Sequence, residues 1–309
     1  MTPAVTVVMP AYDAAAFIGE AIESVLAQTF EDWALVVADD GSTDGTTGIV
    51  ASYDDPRIRL LALEHSGLPA VARNHALASS ESRHVAFLDA DDLWRPEKLA
   101  RQLAVIDTRP EVGLVHTSFE QLRDGALEPY VPPPQLTASG PEFERLAVGH
   151  YIANSSVLLR RELLARHGFI DEDPRLRGTE DFELWMRLSP HTTFAYVDEP
   201  LTVYRLHAAN LGQGQQMGVG YVTTMEKMER LHPNLVAGLG VPYWRMLGYY
   251  RACFGLEGRG RREFLRVLRR HPRDRFAWSW LGRSFLPADV VRGHGSLRAW
   301  AAKRVDRRA

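Results

Sequence analysis

The sequence holds one cysteine, Cys253, so it can close no intrachain disulfide and can build no cysteine zinc site by itself, which fits a reducing compartment. No apolar run approaches the roughly twenty residues that cross a bilayer. The apolar stretch 5–9 has no basic flank and is too short for the core of a signal peptide. A cytoplasmic protein is expected. Two phosphate-binding strings are also missing: there is no Gly-x-Gly-x-x-Gly after the first strand-like stretch and no Gly-Lys-Ser or Gly-Lys-Thr anywhere, which argues against a dinucleotide dehydrogenase and a P-loop enzyme. A phosphatase-type hydrolase would carry an Asp-x-Asp directly after its first strand, where this chain has Met9-Pro10-Ala11-Tyr12. There is no fixed-period repeat and no low-complexity tract.

The 309 residues are 45% hydrophobic and 24% charged, enough for one large domain or a domain with an appendage. Net charge is only −3, but it is unevenly spread: from residue 251 onward there are sixteen Lys and Arg against five Asp and Glu. Such a basic tail can meet nucleic acid, an anionic membrane or an acidic surface. It carries no helix-turn-helix, zinc-finger or aromatic-basic RNA signature, so nucleic acid is not expected as a partner.

Short β-branched stretches alternate with helical periodicity. Strands are expected at 5–9, 33–38, 58–63, 85–88, 113–119, 154–159, 193–197 and 201–205. Between them, Phe17, Ile18, Ala21, Ile22, Val25 and Leu26 recur at helical spacing behind Asp13 as an expected cap. Pro69 opens a helix at 69–78, a helix with Leu99, Leu103 and Ile106 follows Pro96, and Gly168 stops one at 161–167. That alternation predicts an α/β fold with a mostly parallel, doubly wound sheet flanked by helices. The proline-rich stretch 128–140 is expected to be a surface loop. Beyond about residue 211 the pattern is helical only, with candidates at 221–231, 243–256 and 261–270, so a sheet domain at 1–210 and a helical, basic region at 211–309 are expected.

The chemistry concentrates where apolar stretches end in carboxylates. Residues 85–88 run into Asp89, Asp91 and Asp92, beyond a strand end, where open α/β sheets bind ligands. On an extended backbone Asp89 and Asp91 would point the same way, and two such charges need a cation or a donor between them. A hard ion, Mg²⁺ or Mn²⁺, is expected. Asp92 could be a second ligand or a cap for the helix after Pro96, and the cap is favoured. A second strand delivers Asp39 and Asp40. A helix start at Thr179-Glu180-Asp181 adds carboxylates that the helix dipole by itself would favour.

Taken together, residues 5–12, Gln28-Thr29-Phe30, Asp39 to Asp44, Ala72-Arg73-Asn74, Phe87 to Asp92, Thr179 to Trp185 and Tyr204-Arg205-Leu206-His207 resemble a family 2 glycosyltransferase of the GT-A, Rossmann-like fold. The likeness runs from about residue 5 to residue 210. It implies a nucleotide-sugar donor, a divalent metal, and transfer with inversion to a hydroxyl of a glycan or lipid-linked acceptor, in cell-envelope or other glycan synthesis. It also implies that Pro10, Tyr12 and Asp40 border the nucleobase, with Arg73 and Asn74 facing the same pocket. Asp89 would meet the ribose or the metal shell, Asp91 would ligate the metal, and His207 would add a metal or phosphate contact. The attacking hydroxyl must lose a proton, for which Asp181 is the candidate base and Glu180 its support. A catalytically silent nucleotide-sugar-binding scaffold of the same fold is the alternative, and peripheral contact with the inner membrane face through the basic tail is a further expectation.

Overall fold

Alternating strands and helices build the first part of the chain in this computed structural model, which describes residues 2–130, 142–207, 214–254 and 260–286, with Val291. In order come β1 (Val5–Ala11), α1 (Ile18–Leu26), β2 (Trp33–Asp39), α2 (Thr46–Ala51), β3 (Ile58–Ala62), α3 (Pro69–Ala78) and β4 (His84–Phe87). They continue as β5 (Leu93–Trp94), α4 (Lys98–Ile106), β6 (Val112–Arg123), β7 (Ala126–Pro129), α5 (Phe143–Leu146), β8 (Leu158–Arg160), α6 (Arg161–His167), α7 (Glu180–Leu188) and β9 (Thr193–Leu206). The sheet order is β3-β2-β1-β4-β8-β6-β9-β5, with β7 paired to β6. β3, β2, β1 and β4 run parallel, as do β6 and β9, whereas β8 lies antiparallel between β4 and β6.

Both faces of the central strands are covered, which is why β1, β2 and β4 read as continuous apolar runs. Val5, Val7 and Met9 pack with Ile18, Ile22 and Val25 of α1 and Leu99, Leu103 and Ile106 of α4. On β4, Phe87 meets Trp185 of α7 edge to face, with ring centroids 5.7 Å apart. From β1 the chain winds outward through β2 and β3 and returns to β4 on the other side of β1. That reversal is the switch point at which such sheets open a ligand crevice.

Several local expectations change in three dimensions. Asp13 does not cap α1: its φ is 44°, and its carboxylate accepts the Thr43 N–H at 2.8 Å, while Phe17 stands at the helix N-cap. Residues 154–156 form a 3₁₀ turn rather than a strand, leaving only Leu158–Arg160 in the sheet as β8. The two short strands expected at 193–205 are one strand, β9, whose bend is absorbed by register shifts opposite Thr117 and Ser118. Within 128–140, residues 128 and 129 belong to β7, and 131–140 lie outside the described residues.

The chain divides into two compact units, Met1–Gly212 and Gln213–Ala309. The described part of the second is helical: α8 (Gly214–Leu231), α9 (Pro233–Gly238), α10 (Val241–Phe254), α11 (Arg261–Arg270) and α12 (Arg275–Arg283). α10 and α11 approach closely because Gly248 leaves room for the Phe264 ring; a Cβ there would come within 2.7 Å of it. Arg251 of α10 ties α8 to α11 through Glu226 and Glu263.

Candidate active site

The crevice is built from loops that leave the carboxyl ends of β1, β2 and β4. Residues 13–15 and 39–46 are stitched together: Ser42 accepts the Asp13 N–H, Asp44 accepts that of Ala15, and Thr46 accepts that of Ala14, all within 2.9 Å. Gly41 sits at φ 78°, and a Cβ there would stand 3.0 Å from the His65 nitrogen, so only glycine lets the 65–67 turn approach. Asp40 holds that turn. Its Oδ1 accepts from the Ser66 N–H and hydroxyl, each at 2.8 Å, and its Oδ2 accepts from the Gly67 N–H at 2.9 Å. The Tyr12 ring stacks on His65 with centroids 4.3 Å apart and remains half exposed, forming a flat rim next to Pro10.

Asp89, Asp91 and Asp92 do not continue β4 as an extended run. The Asp92 N–H donates to the Asp89 carbonyl at 3.1 Å, closing a turn that sends the three carboxylates in different directions. Asp89 Oδ1 accepts from Arg73 at 2.6 Å and from Asn154 at 2.9 Å. Asp91 Oδ2 lies 2.8 Å from His207 Nε2. Asp92 turns inward, accepting from the Ser155 hydroxyl at 2.6 Å and the Arg205 N–H at 2.9 Å. It therefore caps no helix; it braces the turn against β9 and the 154–156 segment. Burial, then Asp91 and Asp89, push the Asp92 pKa well up.

Arg73 joins the turn to α7. Its guanidinium reaches Asp89 on one side and, at 2.5 Å, Glu180 Oε1 on the other. Burial works against this charge, but Asp89 and then Glu180 outweigh it, and its pKa is raised. Glu180 Oε2 and Arg73 Nε are buried with no hydrogen-bond partner among the described residues. Asn74, the next residue, points elsewhere, donating to Ile170 O and Glu172 and accepting the Ile170 N–H, so it pins the 170–172 segment. Beside Glu180, Asp181 faces His150, whose Nε2 is 3.4 Å from Asp181 Oδ2. Burial alone would raise the Asp181 pKa; His150 and then Arg73 hold it below the ordinary carboxylate value.

A divalent ion can be tested against these positions. Two neighbouring donors on a six-coordinate ion with bonds of about 2.1 Å stand about 3 Å apart, and Asp91 Oδ2 and His207 Nε2 have that separation. Burial and then Asp89 raise the Asp91 pKa, and His207 works against them. No group of three or more metal-ligating side chains is assembled among the described residues. Two protein donors suit an ion whose remaining positions go to water and substrate phosphate, the usual Mg²⁺ arrangement, so the residues fit such an ion.

Sequence reading missed His65, His150, Asn154, Ser155 and Tyr204. Tyr204 lies two residues after Thr202 on the same face of β9, and its pKa is raised by burial and then by Asp92, Asp89, Asp91 and Asp181. Only Tyr204 stood inside a recognisable string. His65 and His150 come from segments without periodicity, Asn154 and Ser155 from a stretch expected as strand, and all four act through contacts that close across 25 to 66 positions.

A mixed sheet whose parallel part reverses at β1 and β4, with carboxylates from a turn and from a helix start gathered at the reversal, matches the GT-A class of glycosyltransferase folds. Residues 6–168 match the model of Glycosyl transferase family 2, and the chain belongs to that family. TuaG, a Bacillus subtilis protein named for teichuronic acid biosynthesis, is 34% identical over 209 residues, 66% of this chain and 79% of that protein. The Escherichia coli UDP-Glc:alpha-D-GlcNAc-diphosphoundecaprenol beta-1,3-glucosyltransferase WfgD is 33% identical over 185 residues, 60% of this chain and 69% of that one. Among solved structures, S. aureus TarS 1-349 in complex with UDP-GlcNAc superposes with a TM-score of 0.61 at 18% identity, covering 95% of this chain and 91% of that one. The Pyrobaculum calidifontis mannosyltransferase PcManGT, in complex with GDP-Man and Mn2+, gives 0.59 at 21% identity, covering 99% and 80%.

Proposed function

We propose that the protein transfers a sugar, with inversion, from a nucleotide-diphospho-sugar to a hydroxyl of an envelope-glycan or lipid-linked acceptor, with Mg²⁺ or Mn²⁺ bound. The observation that carries this reading is the Arg73 bridge, which holds the Asp89–Asp92 turn and the Glu180–Asp181 helix start on one crevice. Pro10 and Tyr12 border the nucleobase, the Tyr12–His65 pair offering it a stacking face. Asp40 shapes that border by fixing residues 65–67. Asp89, steadied by Arg73 and Asn154, faces the ribose, and Asn74 keeps α3 and the 170–172 segment in register behind it.

Asp91 and His207 are the residues that would hold the ion. When bound, it stabilises the negative charge of the departing diphosphate. Asp181, kept ionised by His150 and Arg73, takes the proton of the attacking hydroxyl, and a positioned base of this kind contributes about 10² to 10⁴-fold. Glu180 keeps Arg73 in place. Opposite-face attack by an activated hydroxyl gives inversion. The names of WfgD and TuaG, a diphosphoundecaprenol-linked substrate and an envelope polysaccharide, support the acceptor class.

No helix among the described residues is long and apolar enough to cross a membrane. The excess of Arg after residue 251, with Trp278 and Phe285 exposed, supports peripheral contact with an anionic membrane. The deciding experiment incubates the protein with a nucleotide-sugar panel and Mn²⁺, with and without Asp181→Asn. Slow metal-dependent release of nucleoside diphosphate, lost in the variant, is the expected result. Tight donor binding with no turnover of any donor would leave a silent binding scaffold instead.

A further inference from the structure

A cavity of about 780 Å³ opens in the second unit where α11 gives way to α12, far along the sequence from the carboxylates of the crevice. Arg245, Arg270, Arg273, Arg275 and His271 line it, against one acid, Asp274. That acid is already committed: Arg245 binds its Oδ2, and its Oδ1 caps α12 by accepting the Ala277 N–H at 2.9 Å. The side chains of Arg270, Arg273 and Arg275 make no ion pair or hydrogen bond among the described residues, and Arg245 Nε is buried without a partner.

Arginine at the end of α11 is favoured by the helix dipole, which accounts for Arg270. The same dipole disfavours a cation at the start of α12, where Arg275 is the first residue, and it has nothing to offer Arg273 between the helices. Arg270, Arg273 and Arg275 are exposed where they line the cavity, so their shared positive charge is open to an anion from solution. A guanidinium presents a planar fork of donors that matches phosphate oxygens two at a time. We propose that this cavity binds a phosphate ester or diphosphate group, an inference that stands on the second unit alone and does not depend on the transfer reading.

The test is calorimetric titration of the full chain with inorganic pyrophosphate, in EDTA so that metal-assisted binding at the carboxylate crevice is removed. Beside it runs flotation with phosphatidylglycerol vesicles. Binding of pyrophosphate that weakens at least tenfold in Arg270→Gln/Arg273→Gln/Arg275→Gln, and also with added salt, is the expected result. Loss of vesicle binding in the same variant makes a lipid headgroup the source of the phosphate, and unchanged vesicle binding makes the source a soluble phosphate ester. Equal pyrophosphate affinity in both proteins, or vesicle binding without any pyrophosphate binding, overturns the proposal. Arg273→Gln alone, with its melting temperature recorded, repeats the comparison if the triple variant does not fold. Nucleotide-sugar hydrolysis by the unaltered protein with Mn²⁺ is scored separately, so failure of the transfer reading is distinguishable from failure of this one.

Discussion

The imidazole of His150 stands 3.4 Å from the carboxylate of Asp181 and packs against the ring of the next residue, Phe182, at 5.1 Å between centroids. Burial works against a charged imidazole, but Asp181 outweighs it and Glu180 adds to it, so the His150 pKa is raised above 6.5. Arg73 and Tyr204 also interact electrostatically with Asp181. With its pKa lowered, Asp181 stays ionised into acid and loses that charge only as pH falls through the lowered value. In His150→Gln the acid limb of the kcat profile moves to higher pH, with donor KM little changed. A profile whose acid limb does not move would show that His150 does not tune the base.

That same pair contributes to stability between the ordinary carboxylate and imidazole values of 3.8 and 6.5, where both partners are charged. The contribution is lost below, as Asp181 protonates, and above, as pH rises through the raised imidazole value. Urea midpoints of wild type and His150→Gln should converge at both extremes.

Arg73 is the joint between turn and helix, and its removal leaves Glu180 buried with no cation. Arg73→Met should destabilise the protein by about 3–5 kcal/mol, the usual cost of breaking a buried ion pair on one side. Arg73→Lys keeps the charge but not the fork that spans two carboxylates, and should recover only part of that loss. Urea unfolding measures both, and a loss under about 1 kcal/mol for Arg73→Met would contradict the assignment.

For the Asp91–His207 pair the expected signature is a changed metal requirement. Asp91→Asn should cut turnover by about 100-fold or more, because a bound ion supplies several kcal/mol of charge stabilisation. His207→Ala should shift the Mn²⁺ dependence of turnover to higher concentration with a smaller loss at saturation. Both are read from activity against Mn²⁺ concentration, and an unaltered curve for both would remove these residues from the metal site.

Lys98 is fully buried, its ammonium group 2.7 Å from Gln102 Oε1 and 4.0 Å from the Trp94 ring centre, with no carboxylate partner in the described contacts. Burial lowers its pKa well below 10.5. Between the lowered value and the ordinary one the unfolded chain holds the extra proton, so stability rises with pH across that interval. Lys98→Met should flatten the rise when unfolding free energy is followed from pH 7 to 9. Persistence of the slope in the variant would place its origin elsewhere.

The sequence by itself determined the layered α/β order of the first unit, because both-face burial forces continuous apolar strands and one-face burial forces helical periodicity. Pro69 at the start of α3 and Gly168 after α6 were readable for the same local reason: each backbone conformation suits that residue and few others. It also marked the acidic stretches, since an apolar run that stops at carboxylates is visible without coordinates.

Only the tertiary structure decided what each carboxylate does. Asp89, Asp91 and Asp92 look alike in the string, and a turn closed by one hydrogen bond gives one to Arg73, one to His207 and one to the protein interior. His150 next to Asp181, and three arginines around one cavity with no ion pair among the described residues, could not be foreseen, because charge contacts between distant segments depend on packing and leave no period in the sequence. The alternation of side chains is a local property of the backbone; the company a side chain keeps is not.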